Sequence, residues 1–183
     1  MFQNPTWVAE EVRCILSDSR KCERLAVRLL IRDLTGLEMK VCYKANGAPF
    51  LADSPLNISI SHTKGFAAVF LSKLPHPGID IEYQSERAWK LRTKFLNAKE
   101  QAFVDQNPYS QQVLIATICW CAKETVYKSL QETEVDFIKH LHISPFTVSD
   151  TGSLLLKETK TSAQETYQIH YRITDDYILT WKA

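Results

Sequence analysis

The chain has 183 residues, 45% of them hydrophobic and 23% charged, with a formal net charge of +1. That length suits one domain with a buried core, and the ordinary composition excludes wholesale disorder. The near-zero charge excludes a global field that would draw the chain to nucleic acid or an anionic membrane, so any anion site must be local.

In chain order, Met1 to Cys14 carries Glu10 and Glu11 where a secretory leader needs an apolar run. Ser17-Asp18-Ser19 supplies N-cap chemistry, Leu25, Ala26 and Leu29 recur at helical spacing, and Gly36 follows, so the pattern predicts an amphipathic helix over Ser19 to Thr35. Asn46-Gly47 marks a turn. Ile58 and Ile60 alternate with Ser59 and Ser61, and after Lys64-Gly65 comes the run Phe66 to Leu71, together a predicted hairpin. Pro75-His76-Pro77-Gly78 then breaks the chain. Ile79 to Glu82 reads as a short strand. Helical stretches follow at Glu86 to Phe95, at Ala98 to Asp105, which Asn107-Pro108 ends, and at Ser110 to Leu130. Two C-terminal hairpins are expected, Phe146 to Glu158 turning at Asp150-Thr151-Gly152 and Tyr167 to Trp181 turning at Asp175-Asp176. The fold class is mixed α/β with sheets built largely of hairpins.

Five cysteines (Cys14, Cys22, Cys42, Cys119, Cys121) form an odd set without a C-x-x-C pair, which argues against a disulfide framework or a zinc knuckle. The longest apolar run, Val113 to Ala122, is too short to span a bilayer. A cytoplasmic protein is expected.

In Gly78-Ile79-Asp80-Ile81-Glu82 two isoleucines alternate with two carboxylates, so a strand here buries Ile79 and Ile81 on one face and places Asp80 and Glu82 on the other, about 7 Å apart. Hard cations such as magnesium take oxygen ligands of this kind together with substrate phosphates; a half-buried strand with a solvated acidic face is the plain alternative. In Trp120-Cys121-Ala122-Lys123-Glu124-Thr125-Val126-Tyr127-Lys128, Glu124 and Lys128 share one helix face, as in an ordinary surface ion pair. Arg20, Arg24, Arg28 and Arg32 make a basic stripe that drifts about 40° per step around the first helix.

Together the Gly-Ile-Asp-Ile-Glu strand and the Trp-Cys-Ala-Lys-Glu-x-x-x-Lys helix resemble the two signature motifs of the 4'-phosphopantetheinyl transferase superfamily, in order and in spacing. Ile58-Ser59-Ile60-Ser61-His62 is similar to the family's strand ending in Ser-His, and Phe95-Leu96-Asn97-Ala98-Lys99-Glu100 to its segment ending in glutamate. The resemblance runs from Arg20 to Phe146 and is strongest to the short bacterial members that activate surfactin synthetase.

The resemblance implies two similar halves, each with a long helix packed on a small antiparallel sheet, meeting at a cleft that holds coenzyme A. It implies Asp80, Glu82 and Glu124 as ligands of Mg2+ or Mn2+, Lys128 as the cation on the transferred phosphoryl group, and Glu100 as the base for the carrier serine. Arg24, Arg28, Ser61 and His62 become the coenzyme A contacts, with Arg28 on the 3'-phosphate. The implied partner is an apo acyl or peptidyl carrier protein, modified by a monomer. A coenzyme A binder that transfers nothing and a metal-dependent phosphoanhydride hydrolase remain alternatives. Two departures stand out: Gly47-Ala48-Pro49 replaces a family triplet with a basic middle residue, leaving Lys44 or Lys73 to fill its place, and Pro77 precedes the strand where the family has Val or Ile.

Overall fold

The computed structural model describes residues 12–13, 15–130 and 132–182; the reading of Met1 to Cys14 as lacking a leader falls almost wholly outside the described residues. Helix α1 (Asp18–Thr35) ends where Gly36 takes φ 71°, a left-handed conformation glycine reaches without steric cost, and returns its N–H to the Arg32 carbonyl. Val27 and Ile31, four apart, are buried against Val41, Leu51 and Ile58. Val41 and Leu51 are cross-strand partners in β1 (Val41–Tyr43) and β2 (Pro49–Leu51), a short hairpin around the Asn46-Gly47 turn. These strands are three residues each, too short for alternation to declare them. β3 (Asn57–Thr63) and β4 (Phe66–Ser72) form the expected hairpin, with Gly65 at φ 81°.

β5 (Gly78–Tyr83) begins one residue beyond Pro77, so the missing proline N–H falls ahead of the first ladder pair, Gly78 with Lys182. The expected stretch Glu86 to Phe95 is α2 (Arg87–Leu91) tightening into a 3-10 turn at Arg92–Lys94. α3 (Ala98–Asp105) starts on a capping box in which Asn97 and Glu100 each accept from the other's backbone N–H. α4 (Tyr109–Leu130) is apolar around most of its circumference and accordingly buried, with Ile118, Cys119 and Val126 in one core with Leu154, Leu156, Ile169 and Ile178. The chain closes with α5 (Phe137–His140), β6 (Leu141–Ile143), β7 (Thr151–Glu158), β8 (Thr166–Ile173) and β9 (Tyr177–Lys182). β5-β9-β8-β7-β6 is one antiparallel five-stranded sheet.

One sequence expectation is corrected. Asp150-Thr151-Gly152 is not a hairpin turn: Thr151 and Gly152 lie inside β7, opposite Arg172 and Tyr171. The glycine is there for space, since a Cβ at 152 would come within 2.5 Å of the Tyr171 hydroxyl. That hydroxyl donates to the Thr147 carbonyl and accepts from the Ser149 N–H, so a side chain, in place of a strand ladder, holds residues 147–149. The hairpin expected at Asp175-Asp176 is β8–β9.

The β3–β4 hairpin joins the large sheet through its polar and aromatic face. Ile79, Ile81 and Tyr83 donate their backbone N–H groups to the hydroxyls of Ser59, Ser61 and Thr63 at 3.1, 3.3 and 3.4 Å. Each pair is offset by the same interval, so β3 and β5 run parallel. Phe66, Ala68 and Phe70 pack beside this ladder on Ile79, Ile81, Leu179 and Trp181. The alternate residues of β5 face α4, and the approach is close: a Cβ on Gly78 would lie 2.2 Å from the Thr125 carbonyl oxygen. Gly78→Ala must therefore push β5 and α4 apart, and the expected cost, read as a shift in the urea unfolding midpoint, is about 3 kcal/mol.

Candidate active site

The acidic face of β5 is not solvated. Asp80 is 5% exposed, because α4 covers the even-numbered side of the strand with Trp120, Glu124 and Lys128. Lys128 Nζ lies 2.7 Å from Asp80 Oδ1 and 3.1 Å from the Ile79 carbonyl. Ser61 Oγ donates to the same Oδ1 at 2.7 Å. Asp80 Oδ2 is buried and accepts no hydrogen bond, although a buried acceptor of this kind is costly to leave empty. Glu82 accepts at each oxygen, from Trp120 Nε1 at 3.0 Å and from Thr63 Oγ1 at 3.0 Å.

Glu124 lies within electrostatic reach of both strand carboxylates. Burial and the charges of Asp80 and Glu82 push its pKa up to about 7, against an opposing pull from Lys128. The thiol of Cys121, buried beside the same carboxylates, is pushed well above its ordinary value. The donor chemistry fits a hard divalent cation: three carboxylates, one with a buried oxygen that accepts no hydrogen bond and one whose pKa is raised by burial and by the other two. Among the described residues, no group of three His, Cys, Asp or Glu side chains is gathered closely enough to hold a metal. Lys128 supplies the positive charge on Asp80, while Trp120 and Thr63 hold Glu82.

Glu100 is 4% exposed, and its Oε1 accepts from the Ile143 N–H at 2.7 Å, while Oε2 accepts from the Asn97 N–H at 2.8 Å and from Lys123 Nζ at 2.7 Å. Lys123, fully buried, also donates to the carbonyls of Phe95 and Phe137. With both oxygens engaged and the group buried, Glu100 ties α3, α4 and β6 together. The Phe-Leu-Asn-Ala-Lys-Glu segment fits a capping box equally well, which is why the sequence did not separate the two roles.

The basic candidates divide. Arg20, Glu23, Arg24 and Val27 share one face of α1, and this face lines a cavity of about 690 Å³ with Tyr43, Gly47, Pro49, Ile60 and His62. Arg24 lies over the Tyr43 ring, 4.6 Å from its centroid, and also donates to its hydroxyl. His62 is half exposed, 3.7 Å from Glu23. Arg28, a further step around the helix, reaches the Val41 carbonyl at 3.5 Å and is not among the residues lining this cavity. A second cavity of about 640 Å³ shares Gly47, Pro49 and Ile60 with the first and extends past Lys44 and Ala48 to Tyr127 and Lys128. Through these shared residues the two adjoin, one reaching His62 and the other Lys128. The Ser61 hydroxyl bridges Asp80 and Ile81, donating to the carboxylate and accepting from the backbone N–H. Arg20, Trp120 and Thr63 stand beside these residues and were given no role by sequence reasoning, whereas Lys44, offered there for the missing cation, lines the second cavity.

A family model described as the 4'-phosphopantetheinyl transferase superfamily matches residues 77–182. The chain belongs to this superfamily. A Haemophilus influenzae protein that carries the provisional name 4'-phosphopantetheinyl transferase is 31% identical to it over 120 residues, which cover 60% of this chain and 50% of the relative. The chain thus spans about half the length of that curated relative. The matched region contains β5 and α4, and so Asp80, Glu82, Glu124 and Lys128. The mixed α/β fold with antiparallel sheets and a long central helix agrees with the superfamily.

Two measurements follow from these placements. Lys123→Met strands the Glu100 charge in the core and is expected to cost about 3–5 kcal/mol in urea unfolding, whereas the double variant Lys123→Met/Glu100→Gln recovers part of the loss. For Glu124, the unfolded carboxyl releases its proton near 4.5 and the folded one near 7. The folded protein therefore holds more protons between those values, and its stability falls as the pH rises through that window. In chelator-treated protein Glu124→Gln removes this fall, and the difference between wild type and variant should reach up to roughly 3 kcal/mol above pH 7 at about 1.36 kcal/mol per pH unit.

Proposed function

We propose that the protein transfers the 4'-phosphopantetheine group of coenzyme A to a serine of an apo acyl or peptidyl carrier protein, releasing adenosine 3',5'-bisphosphate. The observation that carries this reading is the meeting of Asp80 and Glu82 on β5 with Glu124 and Lys128 on α4, with Lys128 also lining the cavity of about 640 Å³, in a chain of this superfamily. In the reaction the serine oxygen forms a bond to the phosphorus that bears pantetheine, and the bond from that phosphorus to the bridging pyrophosphate oxygen breaks. The electron pair leaves with the adenosine bisphosphate, and the serine hydroxyl proton passes to solvent water.

Such a transfer needs positioning and charge neutralisation more than covalent help from the protein. Asp80, Glu82 and Glu124 would hold Mg2+ or Mn2+, which supplies the positive charge that lets carboxylates and pyrophosphate oxygens share one site. Lys128, already 2.7 Å from Asp80, neutralises charge on the transferred phosphoryl group. Arg20, Arg24 and His62 form the basic end of the cavity, suited to a phosphate of coenzyme A, and Arg28 stands one step further around the same helix. Lys44 lines the same cavity wall as Ala48 and substitutes for the cation missing from the triplet. Residues 1–76 and 77–183 act as two halves of one site, so a single chain suffices. Among the described residues no helix is long and apolar enough to cross a membrane, and the reaction is assigned to the cytoplasm.

Purified protein with Mg2+ and coenzyme A is expected to raise the mass of an apo-carrier by one phosphopantetheine. Glu124→Gln should lower kcat/KM about 100-fold or more. Ala48 favours one second reading, a coenzyme A binder that does not transfer. Metal-dependent binding in calorimetry, with no mass change in any of a panel of fatty-acid, polyketide and peptide carriers, would select it.

A further inference from the structure

β3 carries hydroxyls at every second position facing β5, and two of the three do double duty. Ser61 Oγ accepts from the Ile81 N–H and donates to Asp80 Oδ1. Thr63 Oγ1 accepts from the Tyr83 N–H and donates to Glu82 Oε2. In each case the hydroxyl grips the backbone just after a carboxylate and the carboxylate itself, fixing the side chain against its own strand. Ser59 completes the series and lacks the second contact: it accepts from the Ile79 N–H, and the residue before Ile79 is Gly78, which has no side chain to hold.

We infer that Ser61 and Thr63 are positioning residues for the cation site, orienting Asp80 and Glu82 from a strand that supplies no ligand of its own. The inference rests on the reading of those carboxylates as cation ligands. A carboxylate that accepts a fixed hydroxyl hydrogen bond keeps one lone pair engaged and loses rotational freedom, so its remaining lone pairs are held in a set direction before a cation arrives. Asp80 is the sharper case. Ser61 and Lys128 both address Oδ1, which leaves Oδ2 as the buried oxygen without a hydrogen bond. Glu82 is held from two sides, by Thr63 on one oxygen and Trp120 on the other. The cation site is therefore built jointly, with ligands from β5 and α4 and their orientation from β3, and the same hydroxyls that join the hairpin to the large sheet also aim the carboxylates.

The ladder provides its own control. Free Mn2+ is followed by electron paramagnetic resonance during titration of the full-length chain at pH 8, with and without coenzyme A, for wild type, Ser59→Ala, Ser61→Ala, Thr63→Val and Thr63→Ser, with urea unfolding midpoints recorded for each. Loss of an orienting contact of this kind weakens metal affinity about 10-fold or more. Ser61→Ala and Thr63→Val are expected to show that loss. Thr63→Ser should retain wild-type affinity, and Ser59→Ala should lower the unfolding midpoint as the others do while leaving the Mn2+ affinity unchanged. If Ser61→Ala does not fold, the Val and Ser variants at half-buried Thr63 decide the matter. Equal Mn2+ affinity in Thr63→Val and Thr63→Ser, or an equal loss in Ser59→Ala, overturns the positioning role and leaves the cation reading intact. No Mn2+ binding by folded wild type under either condition overturns both.

Discussion

β3 and β5 lie side by side in different sheets, and what joins them is a row of side-chain hydroxyls. Ser59, Ser61 and Thr63 satisfy three backbone N–H groups on the outer edge of β5 that would otherwise be an open strand edge. This junction sets the place of everything around the cavity. It turns Ile79 and Ile81 toward the aromatic side chains of β4, and strand alternation then turns Gly78, Asp80 and Glu82 toward α4. The glycine at 78 completes the constraint, because no larger residue lets the helix backbone come so near. Slipping β5 by one residue would exchange the isoleucines and the carboxylates, placing two acids on the apolar hairpin and two isoleucines against Lys128.

The electrostatics follow from that geometry. A buried carboxylate, a half-buried one beside it and a third on α4 gather negative charge, which together with the burial of Glu124 raises that residue's pKa, and one oxygen of Asp80 accepts no hydrogen bond. Lys128 answers part of that charge. The remainder is what a divalent cation, shared with a pyrophosphate, would balance. Next to this strained set, Lys123 and Glu100 are a closed pair: the ammonium reaches two carbonyls and the carboxylate two backbone N–H groups as well as each other. Adjacent residues of one helix, Lys123 and Glu124, thus take opposite parts, one sealed into the scaffold and one facing the site.

Much of this arrangement was legible in the sequence, for identifiable reasons. The helices over Asp18–Thr35 and Tyr109–Leu130 announce themselves by length and apolar content, and the β3–β4 and β8–β9 hairpins by alternation around Lys64-Gly65 and Asp175-Asp176. The acidic strand and the Glu124–Lys128 helix face were read correctly as elements because both periodicities are local. What local pattern does not carry is pairing at a distance. Nothing within Ser59 to Thr63 says that its hydroxyls meet residues twenty positions on, and Glu100 reads the same whether its carboxylate faces a substrate or Lys123. Thr151-Gly152 looked like a turn because glycine permits turns; here it makes room for the Tyr171 ring, a long-range demand. The arginine stripe of α1 was legible as a stripe, but which of its members line a given cavity depends on its drift around the helix, which brings Arg20 and Arg24 to the wall beside His62.

The account's central claim is that the acidic face of β5 and the Glu124–Lys128 face of α4 form one cation-dependent phosphoryl-transfer site. Crystals grown with Mn2+ and coenzyme A, examined for anomalous scattering from the metal, test it most directly. The account predicts a single strong peak within bonding distance of oxygens from Asp80, Glu82 and Glu124 and of the coenzyme A pyrophosphate. A pyrophosphate bound elsewhere, or a metal peak that avoids Asp80 while coenzyme A is in place, would contradict it.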